Sequence, residues 1–193
     1  MGLGYRSSNT PEMCFNAPKN WQLQWYTDRQ RTVNAMMADD DDDDDDDDRF
    51  AGDDFFADGD DRIPPASGGW SGKIYGIADY GRTMNGDTVI VKIVTVPAGV
   101  TDWYVSFNRR AGINIGTQEG GDQVLVHKRT RGLGYAESDL MAKINAGDTY
   151  SGAPLEITVN AINLRSADPP FAYVKIGSGS IPTPQPGPPI PIP

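Results

Sequence analysis

The chain has 193 residues and a net charge of −10, with a single cysteine and a single histidine. One cysteine excludes an intramolecular disulfide and a cysteine-based zinc cluster, and the acidic balance argues against a general nucleic-acid binder. The sequence has no long apolar run that would predict a membrane span, and its polar first ten residues do not have the pattern of a signal peptide.

Residues 1–37 form the first of four zones and contain one helical pattern. In "FNAPKNWQLQWY", Asn16 is a suitable N-cap residue and Pro18 falls in the first turn. Trp21 and Trp25 are four residues apart, so they would share one face of the helix. We therefore predict a short helix that packs its tryptophan pair against a partner domain.

The acidic charge is concentrated in the second zone, residues 38–69. Residues 39–61 hold 15 aspartates and one basic residue, and the rest of the chain carries a net charge of +4. Ten consecutive aspartates at 39–48 repel one another, which predicts a disordered acidic insertion that condenses divalent cations nonspecifically. A specific calcium site is the weaker alternative, because the spacing lacks the closing glutamate of an EF-hand.

The third zone, residues 70–176, contains seven short patterns typical of strands, which predict a mainly β fold. Alternation in 101–108 puts Trp103, Val105 and Phe107 on one face, and Asn85-Gly86 predicts a turn that joins the first two strands. Segment 138–144 is also compatible with a short helix capped by Ser138. The architecture we expect is a β-sandwich or jelly-roll-like domain of seven to eight strands. The predicted strands are 73–80, 87–96, 101–108, 122–128, 138–144, 154–164 and 171–176, and in the sixth Leu155, Ile157, Val159 and Ala161 share a face.

The last zone, residues 177–193, is a Gly/Ser hinge followed by a proline-rich stretch. This composition predicts a linker or tail in the polyproline II conformation.

Two places in the third zone are candidate binding sites. The polar loop 108–123 could bind a ligand or a cation, although a structural crossing between sheets is the favoured interpretation. Trp70, if exposed, could stack on a sugar ring. His127 is expected to be an exposed histidine at a strand end, without a catalytic role. The candidate ligand residues of the loop are Asn108, Arg109, Asn114, Gln118, Glu119 and Asp122.

Residues 1–26 resemble the gametolysin-type zinc metallopeptidases, an algal group of the metzincin clan. "MGLGY" stands where that family has its Met-turn, with Met1 and Gly2 as the matching residues. "MCFN" at 13–16 and "WQLQWY" at 21–26 match the blocks that follow. Segments 102–126 and 157–176 resemble the β-domain that comes next in algal members.

The resemblance implies that residues 1–37 are the C-terminal remnant of a catalytic domain, 38–69 an insertion and 70–176 an accessory β-domain. It also implies an extracellular location and, for Cys14, a disulfide partner upstream. The family's HExxHxxGxxH helix supplies three zinc-binding histidines and the general-base glutamate, and this chain lacks it. Leu3 replaces the tyrosine of the family's Met-turn. We therefore expect no zinc and no catalysis in this chain, although complete members bind zinc.

Three functional hypotheses follow. The first is a fragment or inactive paralogue of a gametolysin-like endopeptidase that acts on extracellular or cell-wall glycoproteins, whose missing N-terminal protease half would be a partner. The second is a non-enzymatic β-sandwich that binds matrix glycoprotein or polysaccharide. The third is an acidic cation-binding protein that depends on residues 39–48. None of the three involves nucleic acid or a membrane.

Overall fold

The computed structural model describes residues 16–36, 69–96, 101–131, 137–152 and 155–178, and 52% of the structure is strand. One helix, α1, spans Ala17–Gln22, and 3₁₀ turns lie at Thr27–Arg29, Ile77–Arg82 and Gly112–Asn114. The strands are β1 Gln30–Met36, β2 Trp70–Tyr75, β3 Ile90–Val96, β4 Thr101–Asn108, β5 Gln123–Thr130, β6 Asp139–Ile144, β7 Thr149–Gly152, β8 Leu155–Asn163 and β9 Phe171–Ser178.

The strands form two sheets that share one core. The five-stranded sheet has the order β1-β3-β4-β5-β6 and the four-stranded sheet the order β2-β9-β8-β7. All pairs are antiparallel except β1 with β3. The mainly β prediction is therefore confirmed, and the arrangement is consistent with a β-sandwich.

Alternating β-branched and aromatic residues build this core. On the five-stranded sheet, Val105, Phe107 and Val126 are at most 1% exposed, and they pack against Ile157 and Val174 of the four-stranded sheet. Strand β4 has the predicted bounds, and Trp103, Val105 and Phe107 share the core face as expected. The sheets bury apolar area from both sides, which is the main source of stability for such a fold.

The first two strands of the third zone do not pair with each other, although a turn was predicted to join them. β2 ends at Tyr75 and pairs with β9, whereas β3 pairs with β1 and β4 in the other sheet. The turn itself exists, because Gly86 has a φ of +95° and the Asp87 amide donates to the Met84 carbonyl at 3.1 Å. It belongs to a crossover between the sheets and does not close a hairpin.

Three other observations concern β6, which was predicted as a strand, and β7 and β8. Segment 139–144 is a strand, so the alternative of a capped helix is wrong. In β8 the register shifts between Val159 and Ala161. Ala161 is therefore only partly buried, whereas Leu155 and Ile157 on the predicted shared face are fully buried. Strand β7, which the sequence patterns missed, pairs with β8 at the sheet edge.

Helix α1 begins where predicted but ends too early to align its tryptophans. The Asn16 side chain accepts a hydrogen bond from the Lys19 amide at 3.1 Å, as an N-cap should. Gln24 and Tyr26 both have positive φ, so the chain turns away after the helix. Trp21 packs edge-on against Tyr104, with ring centroids 5.9 Å apart, whereas Trp25 is 47% exposed.

Residues 16–36 belong to the same packing unit as the third zone. β1 pairs with β3 over seven residues at the edge of the five-stranded sheet, and Val33 packs against the core. Part of the first predicted zone therefore supplies a strand to the sheets that the third zone forms. Residues 1–15, with Met1, Gly2 and Cys14, lie outside the described residues, as do 37–68 and the tail from 179. Within the described ranges, none of the helices is long and apolar enough to cross a membrane.

Candidate functional site

Trp70, the predicted sugar-stacking residue, is half-buried and not exposed. Its ring packs against the core and lies across Gly72 of the same strand, where an added Cβ would come within 2.5 Å of the indole. Glycine is needed at position 72, because any larger side chain there would clash with the Trp70 indole. The indole therefore has a packing role, and a sugar-stacking role for it stays a prediction.

The loop 108–122 is held by its own polar side chains. Asn108 Nδ2 donates to the carbonyls of Glu119 and Gly120, at 3.2 and 3.1 Å, and the Asn108 carbonyl accepts from the Asp122 amide at 2.8 Å. Asn114 is 5% exposed, and its Nδ2 donates to Asn108 Oδ1 at 3.4 Å. Asp122 has a φ of +58°, which an aspartate tolerates in a tight turn. These contacts favour the structural interpretation of the loop.

An ion-pair network continues from this loop to the crossover between the sheets. Arg109 Nη1 lies 2.6 Å from Asp122 Oδ1, and Arg109 Nε lies 4.0 Å from the buried carboxylate of Asp79. Arg82 binds the other oxygen of Asp79 at 3.0 Å and also pairs with Asp168. The network links three loops at one end of the sandwich, although the contact between Arg109 Nε and Asp79 Oδ2 is an ion pair without a hydrogen bond.

The remaining two predicted ligand residues of this loop, Gln118 and Glu119, are exposed. Lys143 Nζ donates to Glu119 Oε1 at 2.6 Å, and this hydrogen bond lowers the pKa of the Glu119 carboxyl group. The loop also presents Ile113 and Ile115 to solvent, at 48% and 70% exposure. The exposed face of the loop thus consists largely of residues that were not predicted as ligands.

His127 is buried, so the expectation of an exposed strand-end histidine is wrong. It lies within β5, opposite Tyr104, and is 4% exposed because α1 packs over β4 and β5. Burial lowers the pKa of His127 from 6.5 to about 4, so the imidazole is neutral at pH 7. Sequence alternation does not reveal this, because the covering helix comes from a distant part of the chain.

A cluster of charged and polar side chains, which the sequence did not indicate, lies on the outward face of the five-stranded sheet. His127 lies on the same face. Asp102, at 3% exposure, binds Lys92 Nζ through Oδ2 at 2.9 Å and Arg131 Nε through Oδ1 at 2.8 Å. Arg129 lies opposite Asp102 in the register, and Tyr104 is fully buried next to them. We call Lys92, Asp102, Tyr104, Arg129 and Arg131 the outer-face cluster.

The outer-face cluster is electrostatically coupled. Burial and the Asp102 charge raise the pKa of Tyr104, while Arg129 and Arg131 act in the opposite direction. Lys92 Nζ also lies 5.7 Å from the centre of the Trp21 ring, at the border of the cluster. The signal in the sequence was the basic run 127–131 at the end of β5, which did not indicate the partners on β3 and β4.

The described ranges contain no group of three or more His, Cys, Asp or Glu side chains that could hold a metal ion. Comparison of the chain with protein-family models, curated proteins and solved structures finds no match in any of the three.

Proposed function

We propose that this chain is the non-catalytic part of a gametolysin-like metallopeptidase, and that its sandwich is a rigid platform for binding an extracellular or cell-wall glycoprotein. The family part of the proposal rests on the resemblance in residues 1–26, 102–126 and 157–176. The platform part rests on one observation, the integration of residues 16–36 into the sandwich.

This integration involves both side chains and backbone. Ala17 and Asn20 of α1 are 1% and 0% exposed, and Asn16 Nδ2 donates to Ser138 Oγ, before β6, at 3.0 Å. After α1, the Arg29 carbonyl accepts from the Val89 amide at 2.8 Å, and β1 then enters the sheet. A binding module on a flexible linker would not bury its connecting segment in this way. In a complete family member, the catalytic domain would thus be held directly against the sandwich.

We assign glycoprotein contact to the exposed face of the loop 108–122. Loops at the end of a rigid scaffold commonly carry binding. The internal hydrogen bonds of Asn108 and Asp122 hold this loop in one shape. Ile113 and Ile115 offer apolar surface, and the exposed Arg110 and Gln118 offer hydrogen-bond donors beside it. This combination suits a ligand with both apolar and hydroxyl-bearing parts, such as a glycosylated peptide.

The binding face can be tested with a matched pair of variants. Purified chain should be retained on immobilised cell-wall glycoproteins, and Ile115→Asp should reduce retention at least fivefold, because it places a charge in the contact surface. Leu140→Asp, on β6, introduces the same charge at another exposed apolar residue, at 40% exposure, and should leave retention unchanged. Enzymatic removal of the glycans before the assay shows whether sugar or peptide is bound.

Two outcomes would overturn the proposal. Equal retention of wild type and Ile115→Asp would remove the loop as the binding face. One equivalent of tightly bound zinc, together with casein hydrolysis that 1,10-phenanthroline inhibits, would contradict a non-catalytic role, because the chain lacks the family's zinc helix.

A further inference from the structure

The buried His127 is covered by a helix that contributes little to the main core. Its imidazole lies in β5 between Tyr104 on β4 and Leu140 on β6, and α1 packs over β4 and β5. Among the described residues, the core between the sheets contains none from α1. The residues that α1 buries include no large apolar side chain; they are Ala17, Pro18 and Asn20. Helix α1 can therefore separate from the sheet without opening the main core.

A protonated His127 would lack an acceptor in this position. Protonation leaves both ring nitrogens as donors, and within the described ranges the buried Nδ1 has no hydrogen-bond partner. The two carboxylates on the elements packed around it are occupied, Asp102 by Lys92 and Arg131, and Asp139 by Lys128 at 3.7 Å. The charged and titratable groups of these elements are the outer-face cluster, Lys19 on α1, Lys128 on β5, and Asp139 and Lys143 on β6. A positive imidazole would thus add to a mainly cationic surrounding.

The turn that follows α1 has the properties of a hinge. Gln24 and Tyr26 have φ values of +56° and +63°, in the left-handed region that residues other than glycine rarely adopt. Beyond this turn, β1 pairs with β3 over seven residues. A change of backbone conformation at 24–26 would relieve this strain and move α1, while β1 stays in the sheet.

We propose that α1 is an acid-released cover of the five-stranded sheet, with His127 as the sensor and residues 24–26 as the hinge. Burial beneath α1 lowers the pKa of His127 from 6.5 to about 4, so protonation favours the open form, in which water solvates the imidazole. The cover is closed at neutral pH, and its opening equilibrium constant should rise about a hundredfold between pH 7 and pH 4. This switch does not depend on the family or the glycoprotein proposal.

An NMR titration of the full chain from pH 7.5 to pH 3.5 tests the switch. The chain has one histidine, so the Cε1 proton of His127 gives one unambiguous signal. The indole N–H signals of Trp21 on α1 and Trp103 in the core are assigned with Trp21→Phe and Trp103→Phe. We expect the Trp21 signal to move toward its unfolded position at the same midpoint as His127, below pH 6.5, while the Trp103 signal stays unchanged. The Leu23 amide, which donates to the Lys19 carbonyl at 3.0 Å, should lose protection from exchange at least thirtyfold.

His127→Gln removes the titrating group, so its Trp21 signal should stay in the closed position down to pH 4. Lys175→Gln, an exposed charge change on β9 of the other sheet, is the control and should leave the transition of Trp21 unchanged. If His127→Gln does not fold, the coincidence of the Trp21 and His127 midpoints in the wild type decides. Three results overturn the proposal: a Trp21 signal that stays fixed while His127 titrates, loss of the Trp21 and Trp103 signals together, or an equal transition in His127→Gln.

Discussion

Replacing Arg29 by Met is expected to lower the free energy of unfolding by about 2–4 kcal/mol. The side chain is 8% exposed, and its guanidinium donates to Thr83 Oγ1 at 3.1 Å, Asp28 Oδ2 at 2.7 Å and Asn85 Oδ1 at 3.0 Å. It also lies 5.5 Å from the Tyr80 ring centre. Methionine fills part of the volume of this buried side chain but removes all of its hydrogen bonds to the two segments that it connects, 28–29 and 83–85.

Urea unfolding followed by circular dichroism measures this loss. Arg165→Met is the control, because Arg165 is exposed in the loop between β8 and β9 and its replacement should change stability by less than about 0.5 kcal/mol. A loss in Arg29→Met as small as in this control would mean that the connection between residues 16–36 and the crossover contributes little to the fold.

His127 should make the folded chain lose about 3 kcal/mol of stability between pH 7 and pH 4. Its pKa is about 4 in the folded state and 6.5 ordinarily, so the unfolded chain takes up the proton first as the pH falls. The contribution is therefore complete above pH 6.5 and is lost progressively down to pH 4. The cause is burial beneath α1, which disfavours the charged imidazole.

Other groups also titrate in this range, so the test is the difference between wild type and His127→Gln. The variant is expected to be less stable at pH 7, where it loses packing, and to recover relative to wild type by about 3 kcal/mol at pH 4. Parallel stability profiles of the two proteins against pH would show that His127 is not buried in the neutral form.

Local patterns predicted most of the strands but not their partners. The alternation in 101–108 was sufficient for β4, because each apolar side chain on its core face meets the opposite sheet. Asn85-Gly86 predicted a turn, but the same turn suits a hairpin and a crossover, and only the pairing of β2 with β9 distinguishes them. Trp25 was placed on the wrong face because the left-handed conformations at Gln24 and Tyr26 leave no signal in the side-chain pattern.

The candidate sites were harder to predict because they depend on contacts between distant segments. Loop residues such as Asn108 and Asp122 have the composition of a ligand site, and the sequence does not show that their polar atoms bind the loop itself. The outer-face cluster requires the register of β3, β4 and β5. Its Asp102 and Arg131 are 29 positions apart, so no local motif joins them.

The rigid platform requires that residues 16–36 and the sandwich form one cooperative unit. Native-state hydrogen exchange measured by mass spectrometry tests it most directly, through peptides from β1 and β4 at increasing urea concentration. We expect β1 amides to be protected to nearly the same free energy as those of β4 and to lose protection in the same transition. Rapid exchange of β1 in the absence of urea, while β4 stays protected, would contradict the claim and the rigid platform proposed from it.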